Sequence, residues 1–132
     1  MIKGIFINDS ETPFTDYILS GQKTIETRNK DMLRDCIGHF VAIVRTGKGK
    51  PTIVGFVHIL LAIHCPDWWL DEHRNETMIP KGSKYDPAPG EWKYCYYLDK
   101  ATPCAPRDLP TNAVRHGRSW CEFDIPTDQW YN

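Results

Sequence analysis

Short apolar segments alternate with clusters of turn-forming residues along the chain, and this pattern predicts a mainly-β protein. Residues 3–8 form a first apolar segment, and residues 40–46 and 53–63 form two more. The segment between the last two, residues 47–51, contains glycine and proline, so these runs are expected to pair as a hairpin. Both runs are apolar on both faces, which is typical of strands that are covered from two sides.

Short helices are predicted at two positions. Residues 13–18 begin with a proline and carry apolar side chains at positions i, i+3 and i+4, which is the spacing of one helix face. Gly21 follows at the point where a left-handed residue commonly ends a helix. Residues 67–74 favour one or two additional helical turns.

The rest of the chain adds three strands and two loops. Residues 23–28, 92–99 and 118–125 have the alternating, β-branched or aromatic composition of strands. Residues 80–89 and 102–110 are rich in glycine or proline and are predicted to be irregular. The elements amount to five to seven short strands with two or three short helices and no regular β-α alternation. This favours a single domain over all 132 residues, built as a small mixed barrel.

Composition and charge narrow the class of protein. The chain is 41% hydrophobic and 25% charged, as is usual for a soluble globular domain. No apolar run approaches the ~18 residues of a membrane span, and no secretory signal is visible, so a cytoplasmic protein is expected. The net charge of −1 argues against a protein that binds long nucleic acid through a basic face, but it is compatible with a local basic cleft.

The cysteines predict neither a disulfide framework nor a metal site. Cys36, Cys65, Cys95, Cys104 and Cys121 are an odd number at wide spacing, which fits reduced thiols. A structural zinc site would normally bring its ligands about two to four residues apart, and no Cys-x-x-Cys pair occurs. No metal ligand and no cofactor is therefore expected.

Residues 21–28 hold the most informative charges. Lys23, Glu26 and Arg28 fall within six positions beside strongly apolar segments, and charges in such a setting must be paired or must serve a ligand. On an extended strand Glu26 and Arg28 share one face with Thr24. Lys23 can reach Glu26 only where the backbone bends.

Residues 21–28, in the order Gly-Gln-Lys-Thr-Ile-Glu-Thr-Arg, resemble the Gly-x-Lys-x-x-Glu-x-Arg motif near the start of ASCH domains. The order of the predicted elements after the motif also resembles these domains over most of the chain. The resemblance implies a PUA-like pseudobarrel with a cleft into which the motif projects. It further implies that RNA, a nucleotide or a modified nucleoside binds in that cleft.

The resemblance also implies an alternative, which is hydrolysis at the same cleft. Some ASCH domains act as ribonucleases and others as amidohydrolases on N4-acylated cytidines. In the amidohydrolases the lysine that matches Lys23 is catalytic, assisted by a threonine three residues later and by a more distant glutamate. Glu26 stands at the position of that threonine. Lys23 and Glu26 are therefore the candidate catalytic residues if the protein is an enzyme.

Other candidate ligand contacts come from outside the motif. Aromatic rings can stack on bases, and adjacent Trp68 and Trp69 cannot both be buried in one short helix, so one of them is expected to rim a pocket or an interface. Arg118 and Ser119 follow a glycine and offer a guanidinium fork and a hydroxyl to an anion. The full candidate set for ligand binding is Lys23, Thr24, Glu26, Arg28, Trp68, Trp69, Tyr94, Arg118 and Ser119. A third possibility is a protein-interaction domain whose contacts are made by Trp68 and Trp69.

Overall fold

Residues 1–124 are described by a computed structural model, in which they form one seven-stranded sheet and three short α-helices. The strands are β1 (Ile2–Asn8), β2 (Ile25–Arg28), β3 (Phe40–Thr46), β4 (Thr52–Pro66), β5 (Trp92–Asp108), β6 (Val114–His116) and β7 (Trp120–Phe123). The helices are α1 (Phe14–Leu19), α2 (Asp67–Glu72) and α3 (Arg74–Thr77), and a 3₁₀ turn spans Arg34–Cys36. Ile125, the end of the predicted strand 118–125, lies outside the described residues, as does the rest of the predicted domain up to residue 132. No helix within the described range is both long and apolar enough to cross a membrane.

The sheet is open and does not close into a barrel. Its strands lie in the order β2-β5-β4-β3-β1-β7-β6, with β1 and β3 parallel and the other neighbours antiparallel. The predicted mainly-β fold of five to seven strands and two or three short helices is confirmed, whereas the expectation of a barrel is wrong, because β2 and β6 remain the edges of the sheet. A side chain crosses the gap beside β2: Arg28 donates a hydrogen bond from Nη2 to the carbonyl of Phe6 in β1 at 2.8 Å.

Strand β3 shows why the sequence places apolar side chains on both faces of a strand. Val41 and Ile43 pack in one buried cluster, while the alternating Ala42 and Val44 pack in a second buried cluster. Side chains alternate between the two faces along a strand, so a run that is apolar at every position contributes to both clusters. The predicted pairing of β3 with β4 is present and antiparallel.

Strand β5 continues far beyond its predicted end. The sequence predicts an irregular segment over residues 102–110, but β5 remains paired with β4 as far as Asp108. Proline lacks an amide donor and is tolerated where a strand is unpaired on one side. Since β2 pairs only with residues 94–97 of β5, Pro103 and Pro106 lie where β5 has β4 as its one neighbour among the described strands.

Two elements near the cleft begin later than the sequence predicts. Helix α1 takes Pro13 as its N-cap, not as its first helical residue, and the amide of Thr15 in its first turn donates to Oδ1 of Asp9 at 3.1 Å. The strand predicted over residues 23–28 begins at Ile25. The amide of Thr24 donates instead to the carbonyl of Glu76 in α3 at 2.8 Å, so Thr24 connects the strand to a helix.

The strand predicted over residues 118–125 is the second half of a short hairpin. Strands β6 and β7 pair antiparallel, and Gly117 lies between them with a φ of +63°, a conformation that favours glycine. Arg118 and Ser119 lie in the turn and not in the strand. The sequence did not reveal β6 because its three residues are too few to show alternation.

Gly55 marks a tight contact between β4, β5 and α1. A Cβ at this position would lie 2.5 Å from Cδ2 of Leu19 and 2.6 Å from the carbonyl oxygen of Thr102. Because the oxygen belongs to the backbone and cannot rotate away, Gly55→Ala is expected to lower the free energy of unfolding by about 1–3 kcal/mol. Urea denaturation measures the change, with Lys48→Ala in the exposed β3–β4 loop as the control; an unchanged midpoint for Gly55→Ala would contradict the prediction.

Candidate functional site

A cavity of about 730 Å³ lies beside β2, at the gap that Arg28 crosses. Its wall is formed mainly by β1, β2, the loop after α3 and the turn between β6 and β7. Within the described part of the chain the charged lining is strongly positive, since six cationic side chains accompany one carboxylate. These residues are Lys23, Arg28, Lys30, Lys84, Lys93 and Arg118, with Glu26 as the carboxylate.

The three charges of the motif form one buried cluster in this wall. Lys23 donates a hydrogen bond from Nζ to the carbonyl of Thr77 at 2.6 Å, and the same Nζ lies 3.5 Å from Oε1 of Glu26. The second carboxylate oxygen, Oε2, accepts a hydrogen bond from Nη2 of Arg28 at 2.9 Å. The ammonium of Lys23 also lies 5.0 Å from the ring centroid of Phe14. One carboxylate is thus shared by two cations.

The backbone turns immediately ahead of β2. Gly21 has a φ of +82° directly after α1, and the amide of Lys23 donates to the carbonyl of Tyr17 at 2.9 Å. Lys23 therefore lies in the turn ahead of β2. In a straight strand, residues i and i+3 point to opposite faces, so it is this turn that lets the lysine approach the carboxylate.

Burial and charge act in opposite directions on the ionisation of the cluster. Burial lowers the pKa of the Lys23 ammonium, and the neighbouring Glu26 carboxylate offsets this only in part. For Glu26, burial by itself would raise the pKa, but Arg28 and Lys23 outweigh it and hold the pKa of this carboxyl below its ordinary value. The side chains of Lys23 and Glu26 are only 2% and 9% exposed. While Lys23 is protonated, the buried cluster carries an excess of positive charge.

Arg118 and Ser119 also line the cavity, together with Gly117 that precedes them. Both side chains are exposed and belong to the β6–β7 turn, which is far along the chain from the motif. The fold therefore brings together five of the predicted ligand contacts, namely Lys23, Glu26, Arg28, Arg118 and Ser119.

The other predicted contacts, Thr24, Trp68, Trp69 and Tyr94, are not part of the cavity lining. Tyr94 stacks on the ring of His64, with centroids 4.2 Å apart, and Trp69 stacks on the histidine that directly follows its helix. Their role in ligand binding stays a prediction. The protein-interaction alternative also stays a prediction, and Trp68 is the more available side chain for it at 61% exposed.

Sequence reasoning missed several side chains of the lining, among them Lys84, Tyr85 and Lys93. The Lys93 side chain is 10% exposed, and its ammonium donates a hydrogen bond to Oδ1 of Asn29. The signal that could have identified Lys93 is its position as a charged residue within a strand rich in aromatic side chains. Lys84 and Tyr85 lie in the loop 80–89, where no periodicity indicates which side chains face a cavity.

Metal ligation has no candidate site in the described part of the chain. No cluster of three or more His, Cys, Asp or Glu side chains that could hold an ion occurs there. The five cysteines carry free thiols, and four of them are buried. Burial raises the pKa of Cys95 to about 12, so this thiol is uncharged at neutral pH and is a weak nucleophile.

Comparison with solved structures identifies proteins of the same architecture. The chain superposes on the crystal structure of ASCH from Zymomonas mobilis with a TM-score of 0.74 and 18% sequence identity, over 96% of this chain and 91% of that chain. A serine-to-alanine mutant of ZmASCH from the same organism gives a TM-score of 0.73 at 16% identity, over 96% of this chain and 92% of the mutant. A tyrosine-to-phenylalanine mutant of ZmASCH gives 0.66 at 20% identity, over 80% of this chain and 76% of the mutant. No protein-family model and no curated protein matches the sequence. The chain has the fold of an ASCH domain.

Proposed function

We propose that the cavity beside β2 binds a short phosphate-bearing ligand, either a nucleotide or a segment of single-stranded RNA. The observation that carries this proposal is the excess of positive charge in the lining, where six cationic side chains accompany one carboxylate. The whole chain has a net charge of −1, so the positive charge is local to the cavity. Such a concentration of charge attracts an anion to one place on the molecule.

The inner part of the cavity favours a ligand with a phosphate group. Lys23 and Arg28 share the Glu26 carboxylate, which cannot neutralise both of them. A buried positive charge without a full counter-charge is costly, and a phosphate oxygen would supply the missing negative charge. Hydrogen bonds between such cations and a phosphate are shorter and stronger than those between neutral groups.

The dimensions of the cavity favour a small ligand over a duplex. Its volume of about 730 Å³ lies within the range of roughly 300–1,000 Å³ that is usual for small-molecule sites. The exposed cations at its rim, Lys30, Lys84 and Arg118, extend the positive field outward. They would allow a nucleotide to bind alone or as one unit of a single strand.

Binding is expected to weaken steeply with salt, and this tests the proposal. Calorimetric titration with uridine, UMP and a short oligouridylate should give the order oligouridylate, UMP, uridine from tightest to weakest. In a plot of the logarithm of the association constant against the logarithm of salt concentration, the slope should be about −0.7 for each phosphate that is contacted in a single strand. Arg118→Ala should reduce this slope, whereas Lys48→Ala, outside the cavity lining, should not. Equal affinity for uridine and UMP at low salt would contradict phosphate recognition.

Hydrolysis at the same cavity is the second candidate, and one observation favours it. The Lys23 ammonium is buried, and that burial lowers its pKa, which favours the unprotonated amine that a general base requires. The Glu26 carboxylate lies 3.5 Å away and can accept or return a proton. Lys23 and Glu26 would be the catalytic residues of this reaction.

A further inference from the structure

The hydroxyl of Tyr85 is an unsatisfied polar group at the wall of the cavity. Its oxygen is buried and has no hydrogen-bond partner among the described residues, while the residue itself lines the cavity. The Tyr85 ring packs edge to face against Phe14, with centroids 5.4 Å apart at an angle of 85°. Phe14 in turn lies beneath the ammonium of Lys23. The tyrosine therefore belongs to the same wall as the buried charges.

The loop that carries Tyr85 is held in place by an ion pair. Nη2 of Arg74 donates to both carboxylate oxygens of Asp86, at 2.9 and 3.1 Å, and Nη1 of Arg74 donates to the carbonyl of Ile79 at 3.1 Å. Asp86 also accepts a hydrogen bond from the amide of Gly82 at 2.9 Å. Because Arg74 and the amide of Gly82 both hold the adjacent Asp86, the Tyr85 hydroxyl has little freedom to find another protein partner.

Among the polar groups that line the cavity, the side-chain oxygens of Asn8 and Asn29 already accept hydrogen bonds from the amide of Ser10 and from Lys93, whereas the Tyr85 oxygen has no partner in the described part of the chain. Lysine and arginine side chains only donate hydrogen bonds, so they recognise the phosphate of any nucleotide alike. Glu26 accepts hydrogen bonds, but its oxygens already receive them from Arg28 and from the amide of Thr27. A tyrosine hydroxyl both donates and accepts. Because the Tyr85 oxygen is buried, a ligand that leaves it unpaired is discriminated against more strongly than at an exposed site.

We propose that Tyr85 is a specificity-determining residue of the cavity, and that its hydroxyl forms a hydrogen bond with the base or ribose of the bound nucleotide. This inference rests on the proposed nucleotide binding and adds the residue that selects among nucleotides. Lys84 lies over the Tyr85 ring at 5.2 Å and pairs with exposed Glu11 at 3.8 Å. A weak exposed pair of this kind leaves Lys84 free to turn toward a bound phosphate.

The experiment compares Tyr85→Phe with the wild-type chain, using inorganic phosphate and the four ribonucleoside 5′-monophosphates as probes in calorimetric titrations. For the nucleotide that the wild type prefers, affinity should fall about fivefold or more, the factor that one typical hydrogen bond contributes. Affinity for inorganic phosphate should not change. The melting temperature of the ligand-free variant should be equal or higher, because the substitution removes a buried unpaired hydroxyl. Tyr97→Phe, in the cluster with Ile25 and Cys95, is the matched control.

Each outcome decides the inference. A loss of nucleotide affinity with unchanged phosphate affinity and an undiminished melting temperature supports it. If the wild type binds a nucleotide and Tyr85→Phe binds it equally well, the specificity role is overturned while nucleotide binding stands. The variant could instead lose nucleotide and phosphate affinity together and melt at a lower temperature. That result assigns Tyr85 a structural role and also overturns its role in specificity. If the wild type binds none of the nucleotides, the proposed function itself fails.

Discussion

Replacing Glu26 with glutamine is expected to lower the free energy of unfolding by about 3–5 kcal/mol, because it leaves buried Lys23 and partly buried Arg28 without their shared counter-charge. Lys23 and Arg28 both lie within ion-pair distance of this carboxylate, and the Glu26 side chain is 9% exposed, so water cannot replace it. The midpoint of urea denaturation measures the change. Glu72→Gln, on an exposed position of α2, is the matched control and should leave the midpoint unchanged.

The same substitution should remove part of the acid sensitivity of the wild type. The pKa of Glu26 is lower in the folded chain than its ordinary value, so the unfolded chain binds the proton more tightly. The stabilisation from Glu26 is therefore fully present above the ordinary carboxyl pKa and is lost as the pH falls through the lowered value. Denaturation curves collected from neutral to acid pH should fall more steeply for the wild type than for Glu26→Gln. Parallel curves would show that Glu26 contributes no linked stability.

Replacing Lys23 with methionine is expected to weaken nucleotide binding by about 10- to 100-fold, the range that corresponds to losing a hydrogen bond to a charged group. The substitution keeps the length of the side chain and removes its charge from the cavity wall. Glu26 still has its hydrogen bond from Arg28, so no carboxylate is left unpaired. The loss of stability should be smaller than for Glu26→Gln, about 1–2 kcal/mol from the Thr77 carbonyl that loses its donor.

Titration with UMP measures this effect, and Lys48→Met in the exposed β3–β4 loop is the charge-matched control. A Lys23→Met variant that unfolds like the wild type and binds UMP equally well would remove Lys23 from the binding site. The variant also tests the hydrolysis alternative. Incubation with RNA and with N4-acetylcytidine should show any turnover of the wild type disappear in Lys23→Met if the amine is the base, while unchanged turnover would exclude that role.

The ionic cluster explains why the two substitutions should differ so much. Glu26 is the common partner of two cations, and its removal affects both. Lys23 is one of two partners of the carboxylate, and its removal leaves a neutral pair. The excess of two cations over one carboxylate also underlies the proposed binding function. An anionic ligand would provide the second negative charge that Glu26 alone does not supply.

The sequence by itself determined the mainly-β fold and the charged motif of the site. In residues 40–46 every position is apolar up to Arg45, and a strand of that kind is stable only between two apolar clusters. The glycine after residues 13–18 required a turn, and that turn places Lys23 beside Glu26. Local geometry sufficed for these features because they depend on alternation and on φ preferences within a few residues.

Only the tertiary structure decided which distant side chains complete the cavity. Arg118, Lys84 and Tyr85 come from a hairpin turn and a loop, where no periodicity fixes the direction of a side chain. Trp68 and Tyr94 are aromatic like Tyr85, yet neither lines the cavity, although Tyr94 pairs with Arg28 across β2 and β5. The strand order, with β2 and β1 far apart in the sheet but joined by the Arg28 side chain, creates the gap in which the cavity lies. Contacts of this kind depend on how strands are packed and not on the local pattern of any one of them.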